Sequence, residues 1–327
     1  MKTPLLVLFS FLSFSSLFSH PPLWVVGKTY VALLQNGQTK YWNEVTPSSF
    51  GMDPQRCELW AVDSKTSNLL KFSQLIAQPH SLGTTEAIVS NVEDSTFFSR
   101  KGGLLEKRNS AGTVSQTYPF AETSNLIEIH SAEKGYVTLQ KADKELSFSS
   151  MNDSFALLHR TVVSSNADLW NVERLIYDAS SGVSWIGFTA TTASHMYAPI
   201  LKSYTLDGTL KSKQIYNHRG IFWDFCLQTD HSLLYSYDVP SNSGFTVPIN
   251  SYLDAFTSMG MSSQVYSADT NYFIDAVTCS QDAVYMLQRP IFGSEKSLIV
   301  SSRLGNKQEE TLLTLPAPAY KVFHCDG

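Results

Sequence analysis

The stretch LKSYTLDGTLKSKQIY, Leu201 to Tyr216, reads as strand, tight turn, strand, with Asp207-Gly208 at the bend. Glycine supplies a turn conformation that other residues resist. The question is whether this is an isolated surface hairpin or one unit of a repeat. Two other stretches answer it. LEKRNSAGTVSQTY, from Leu105, places Gly112-Thr113 where the first stretch places Gly208-Thr209, a separation of 96 residues (208 − 112). LIVSSRLGNKQEETLL, from Leu298, has Gly305 at the corresponding bend, 97 residues on (305 − 208). If 96 is two units, one unit is about 48 residues, the size of a four-stranded propeller blade. Intermediate turns near Ser64 and Gly244 fit this ruler loosely, and the mark near residue 160 fits poorly.

A second landmark supports the repeat. Five times, an apolar run enters a short polar turn and leaves as another apolar run. The five are EAIVSNVEDSTFFS from Glu86, LIEIHSAEKGYVTL from Leu126, ERLIYDASSGVSWIGF from Glu173, FWDFCLQTDHSLLYSY from Phe222 and FIDAVTCSQDAVYML from Phe273. Each has the pattern of the inner strand, turn and second strand of a blade. A sixth inner run, AYKVFHC from Ala319, is cut off by the end of the chain. Its missing second to fourth strands are expected from the N-terminal region. There, TYVALLQNGQTKYWN and ELWAVDSKTSNLLKF read as hairpins without a preceding inner strand. The expected fold is therefore all-β: a six-bladed propeller whose ring is closed by strands from both chain ends. Such a seam removes an open sheet edge. Seven blades, or a large β-sandwich, are the alternatives, because short strands with regular turns occur there too.

The YTLDGTL hairpin and the inner-strand pattern resemble those of NHL-type and gluconolactonase-type six-bladed propellers. The resemblance implies the fold. In gluconolactonase-type enzymes a channel metal is held by Glu, Asn and Asp side chains. Those ligand motifs do not align with this sequence, so no residue role is carried over from them. The paired Gly-His and Trp-Asp marks of WD40 repeats do not recur at blade spacing.

The chain of 327 residues begins MKTPLLVLFSFLSFSSLFSHPP, a charged, apolar, small, polar order expected of a secretory signal spanning residues 1–19. An uncleaved anchor is the alternative, but the apolar run is short of the roughly 20 residues that a membrane span needs. Residues 20–327 are then expected to form the propeller, secreted or periplasmic, with no membrane span after cleavage. Losing Lys2 leaves 23 basic (24 − 1) and 29 acidic residues, a formal −6. The sequence holds no basic run to neutralise phosphates, which argues against nucleic acid as a partner.

Four cysteines, Cys57, Cys226, Cys279 and Cys325, form no CxxC pair. In an exported protein an even count favours disulfides, with three possible pairings. One proposal stands out: Cys57 with Cys325 would lock the ring across nearly the whole chain, while Cys226 and Cys279 lie in adjacent inner runs. Asn152-Asp153-Ser154 is a single glycosylation sequon.

Chemistry is sought where inner strands start, at one end of the central channel. Glu86, Glu128, Glu173, Asp224 and Asp275 occur there. Glu128, Asp224 and Asp275 share a register, each seven residues before the turn marks Gly135, His231 and Asp282. Glu128, Glu173, Asp224 and Asp275 are the candidate binding carboxylates. Converging carboxylates can hold Ca²⁺, which takes six to eight oxygen ligands. The competing reading is that they pair with Lys and Arg of neighbouring blades. His130, His324 and Cys226 are candidates for a metal site of another kind. G-x-S-x-G, H-E-x-x-H and phosphate-loop motifs are absent; a triad assembled from distant residues is left to geometry. Trp24, Trp42, Trp60, Trp170, Trp185 and Trp223 either fill the wedges between blades or offer a stacking platform. The resulting expectation is an exported binding or interaction module for a protein or carbohydrate. The alternative is a metal-dependent hydrolase or lactonase with the carboxylates at the channel.

Overall fold

The computed structural model describes residues 20–90, 96–119, 125–167, 173–191, 197–215, 220–240, 249–256, 262–268, 272–291, 297–303 and 309–325. These residues form a β-propeller of seven four-stranded antiparallel sheets. The inner strands are Pro47–Asp53, Ala87–Ile88, Leu126–Ala132, Arg174–Asp178, Phe222–Leu227 and Tyr272–Cys279 in blades 1 to 6, and Ala319–His324 in blade 7. Blade 7 draws that inner strand from the C-terminal end of the chain. Its outer three, Leu23–Gly27, Tyr30–Gln35 and Gln38–Asn43, come from the N-terminal end. Leu23–Gly27 pairs with Ala319–His324, Trp24 opposite Phe323 and Val25 opposite Val322.

Seven blades replace the expected six. The extra blade is built on ELWAVDSKTSNLLKF, which does have an inner strand before it. That strand, PSSFGMD, pairs Met52 with Leu59 and Phe50 with Ala61. Pro, two Ser and Gly give it no apolar signature, so the hairpin reads as an orphan. TYVALLQNGQTKYWN supplies the third and fourth strands of blade 7, and Leu23–Gly27 the second. Closure by both chain ends, and the five inner-strand hairpins, are as expected.

The glycine ruler holds where it can be followed. Gly112 and Gly208 both lie between third and fourth strands, with φ of 80° and 77°. Their N–H groups donate to Asn109 and Thr205 three residues back. In blade 3 the same turn runs from Asn152 to Phe155, and Phe155 itself takes φ 60°. The Asn152 side chain accepts from Ser154 and Ala156 backbone N–H at 3.0 and 2.9 Å. The Phe155 ring stacks on Tyr136, with centroids 4.4 Å apart. A packed aromatic here stands in for glycine, which is why the ruler fails near residue 160. The turn at Ser64 joins second and third strands, so it belongs to another series. Gly244 and Gly305 lie outside the described residues.

Burial is greatest in the second strands and falls towards the rim. The second strand of blade 6, Ala283–Pro290, is buried over its first six residues, while the fourth strand of blade 2, Val114–Pro119, is almost wholly exposed. Wedges between blades hold the aromatics. Trp24, Trp42 and Phe72 meet between blades 7 and 1, the two indoles stacked with centroids 5.3 Å apart. Trp60 and Trp185 are buried too; Trp170 lies outside the described residues.

Both disulfides staple neighbouring blades. Cys226 bonds Cys279 across blades 5 and 6. Cys57 bonds Cys325 over a sequence separation of 268. Cys57 follows the inner strand of blade 1, so this bond clamps blade 7 to blade 1. Among the described residues no helix is long and apolar enough to cross a membrane. The signal expected at residues 1–19 lies outside the described residues.

Candidate functional site

An inner strand has a free edge facing the channel, and its backbone groups need partners. Here side chains of the preceding blade supply them. Ser49 Oγ accepts from Ile88 N–H at 2.8 Å, Glu128 Oε2 from Leu175 N–H at 2.9 Å, and Asp224 Oδ2 from Val277 N–H at 3.0 Å. His130 Nε2 donates to the Leu175 carbonyl at 2.9 Å. A β-bulge precedes each of the three acceptors, between Pro47 and Ser49, Leu126 and Glu128, and Phe222 and Asp224. Bulges re-aim side chains, and these turn each acceptor towards the next blade.

The same bulge in blade 6 lies between Ile274 and Ala276, which corrects one expectation. Asp275 is the bulged residue and corresponds to Trp223. Ala276 holds the register of Glu128 and Asp224. Counting back from the turns misleads because the turns differ in length: Ala132 pairs with Gly135, but Leu227 with Leu233.

Glu128, Asp224, Arg174 and Lys321 line a central cavity of about 310 Å³. Asp224 is the hub. Its carboxylate accepts from Arg174 Nε at 3.2 Å and is ion-paired to Lys321 Nζ. Arg174 lies between two carboxylates. Burial works against its charge, but Asp224 and Glu128 outweigh burial and raise its pKa. For Glu128 burial is again the largest influence, and it is overcome by His130 and Arg174, so the carboxyl ends below its ordinary value. Lys321 goes the other way: burial, then the neighbouring Arg174 charge, push it down to about 8.

At the end where inner strands begin, the channel widens into a recess of about 530 Å³. Glu173, Asp275, Arg289, Trp223 and Tyr320 stand around it, and Arg174 and Asp224 reach it from below. Arg289 grips Asp275 with two hydrogen bonds, 2.7 and 3.0 Å, and lies over the Phe273 ring. Burial raises the Asp275 pKa, and Arg289 offsets part of that. Glu173 is paired with Lys141. Trp223 is fixed by its indole N–H, which donates to Asp238 at 3.1 Å. Asp238 is buried and pushed up to about 7 by desolvation.

All four candidate carboxylates thus sit at the channel, Glu128 and Asp224 inside and Glu173 and Asp275 at the mouth. Each faces a cation of its own blade or another. Glu86 does not join them; it accepts from the Gly102 N–H on an exposed turn. Among the described residues no three His, Cys, Asp or Glu side chains gather to hold a metal ion. Cys226 is in a disulfide, and His324 hydrogen-bonds Thr278 at 2.9 Å. The sequence reading missed Arg174, Arg289 and Lys321. Lys321 had a visible signal: a lone charge inside the apolar run AYKVFHC.

One Ser/His/Asp group does meet, on the surface between blades 4 and 5. Ser180 Oγ lies 2.9 Å from His231 Nδ1, which is 3.2 Å from Asp178 Oδ1. Ser180 also donates to that same Asp178 oxygen at 2.8 Å. The hydroxyl proton is committed to the carboxylate rather than to imidazole, so the group lacks the serine-to-histidine relay of a hydrolase.

No protein-family model matches the chain, and no curated protein is similar to it in sequence. Solved structures are similar in shape. A functionally unknown protein of Desulfotomaculum acetoxidans is 8% identical with a TM-score of 0.60, covering 94% of this chain and 100% of that one. A provisionally assigned 6-phosphogluconolactonase of Bacteroides uniformis is 13% identical with a TM-score of 0.57, covering 92% and 98%. The Cps50 (Swd1) β-propeller domain of Myceliophteria thermophila is 11% identical with a TM-score of 0.57, covering 86% and 91%. At these identities the likeness shows the fold alone.

Proposed function

We propose that this protein is an exported propeller that binds a small polar ligand, a carbohydrate foremost, at the mouth of its channel. Export rests on the N-terminal signal pattern at residues 1–19 and agrees with two disulfides joining neighbouring blades. The observation that carries the binding reading is the recess itself. It has the volume of a ligand pocket, and one indole, Trp223, is held in place at its wall by Asp238. Aromatic faces beside fixed polar groups suit a sugar ring. A protein partner would cover about 800 Å² of this surface rather than fill a recess.

The hydrolase or lactonase alternative draws on the fold likeness to the Bacteroides uniformis protein. It is the weaker reading in its metal-dependent form, because Glu128, Glu173, Asp224 and Asp275 are each engaged by a cation. Titrating purified protein with neutral and acidic monosaccharides, while following tryptophan fluorescence, tests the proposal. Saturable quenching that disappears in Trp223→Ala is the expected result. Quenching that survives that substitution places the ligand elsewhere. Hydrolysis of an aldonolactone abolished by chelator would replace binding with the metal enzyme.

A further inference from the structure

The guanidinium of Arg174 has donors to spare. Its Nε is bound to Asp224 at 3.2 Å, and that is its one hydrogen bond among the described residues. Both terminal nitrogens are left without an acceptor among the described residues. The side chain is 28% exposed, against 2% for Asp224 beneath it, and it lines both channel and mouth. Asp224 therefore anchors the guanidinium through Nε, the charges of Asp224 and Glu128 favour its protonated form, and the side chain lines the recess. Arg289, by contrast, spends two nitrogens on Asp275 and its face on Phe273.

A fork of this kind matches two oxygens of a carboxylate or phosphate. The channel network is close to neutral, with Glu128 and Asp224 facing Arg174 and Lys321. An incoming anion is therefore not repelled by an excess of acid at the base of the recess. Trp223 and Phe50 stand beside the fork and can cover the apolar face of a sugar ring.

From this geometry we infer that the mouth is selective for an anionic sugar, whose oxyanion, carboxylate or phosphate, docks on the two free terminal nitrogens of Arg174. The inference rests on the proposed binding site at the mouth. Three probes separate the possibilities: glucuronate, glucose 6-phosphate and glucose, each titrated by calorimetry and tryptophan fluorescence.

One or both anions are expected to bind at least about tenfold more tightly than glucose. That margin is expected to vanish in Arg174→Gln. Arg174→Lys keeps the charge and the contact with Asp224 but removes the fork, and is expected to lose most of the preference while melting near wild type. Glucuronate alone identifies a carboxylate ligand; glucose 6-phosphate alone identifies a phosphate. Equal binding of glucose and the anions, unchanged in both Arg174 variants but lost in Trp223→Ala, overturns the inference and leaves the mouth as a neutral-sugar site. Failure of all three probes with the folded wild-type protein overturns both.

Discussion

Asp224 on blade 5 accepts the backbone N–H of Val277 on blade 6 at 3.0 Å, and the same carboxylate oxygen is paired with Lys321 on blade 7. One buried side chain therefore ties three consecutive blades at the hub, and through Arg174 a fourth. Its loss leaves two cations without their main counter-charge and one amide without an acceptor. Asp224→Ala is expected to cost about 3–5 kcal/mol, the range for breaking a buried pair. Adding Lys321→Met should recover part of that. Denaturant midpoints of the two variants check both; a double variant less stable than the single one contradicts the pairing.

Asp238 gives a pH dependence of definite sign. Its neighbours are the Ile221 and Trp223 N–H donors and the charge of Asp275. Its folded pKa is raised from 3.8 to about 7, chiefly by burial. The folded state thus holds a proton that the unfolded state has released. The stabilisation is complete below about pH 4 and is lost as pH rises through about 7. Relative to Asp238→Asn, wild type should lose up to about 1.4 kcal/mol per pH unit within that window. Stability curves of both proteins between pH 4 and 8 test it, and parallel curves would refute it.

Lys321 produces the opposite slope at alkaline pH. Its folded pKa is pushed down to about 8 from 10.5. The unfolded chain then binds the extra proton between those values, so stability rises with pH across that window. Lys321→Met should remove the rise, as seen in denaturant titrations at pH 7.5 and 10.

The two disulfides should differ in value. Loop-closure entropy grows slowly with the length enclosed, and Cys57–Cys325 spans 268 residues against 53 for Cys226–Cys279. Replacing the first pair by Ala is expected to cost about 5.6 kcal/mol and the second about 4.2, by the chain-entropy relation. Melting of the two double variants orders them; equal losses would show that loop length does not set what each disulfide contributes.

At Gly208 the backbone has φ +77°, and an added Cβ would come within 2.6 Å of Thr161 Oγ1. Gly208→Ala is expected to destabilise by about 1–2 kcal/mol from the left-handed backbone alone. Removing the Thr161 hydroxyl in the same protein should lessen the loss. A neutral Gly208→Ala would mean that the turn can relax.

Much of the ring was legible because its signals are local. Hairpin turns with Gly112 and Gly208, and five apolar inner runs, are visible without any knowledge of contacts. The inner strand of blade 1 was not, because PSSFGMD is placed by hydrogen bonding and register rather than by hydrophobicity. The candidate carboxylates were found at the channel, since inner strands bring their starts together. Their partners were missed for the same reason that makes them matter: Arg174, Arg289 and Lys321 are matched to acids through space, and Lys321 lies 97 residues from Asp224 in the chain. The error in the register of Asp275 came from turn lengths that vary between blades.

Blade 7 also has a consequence for the order of assembly during synthesis. Leu23–Gly27 is made before blades 1 to 6, yet its partner Ala319–His324 is made only after them. The same late strand delivers Lys321 to Asp224 and Cys325 to Cys57. A nascent or truncated chain can build blades 1 to 6 and still lack the closing lysine and the last sulfur. The charge balance at the hub is therefore a mark of ring closure, reached only once the inner strand of blade 7 has been made and docked.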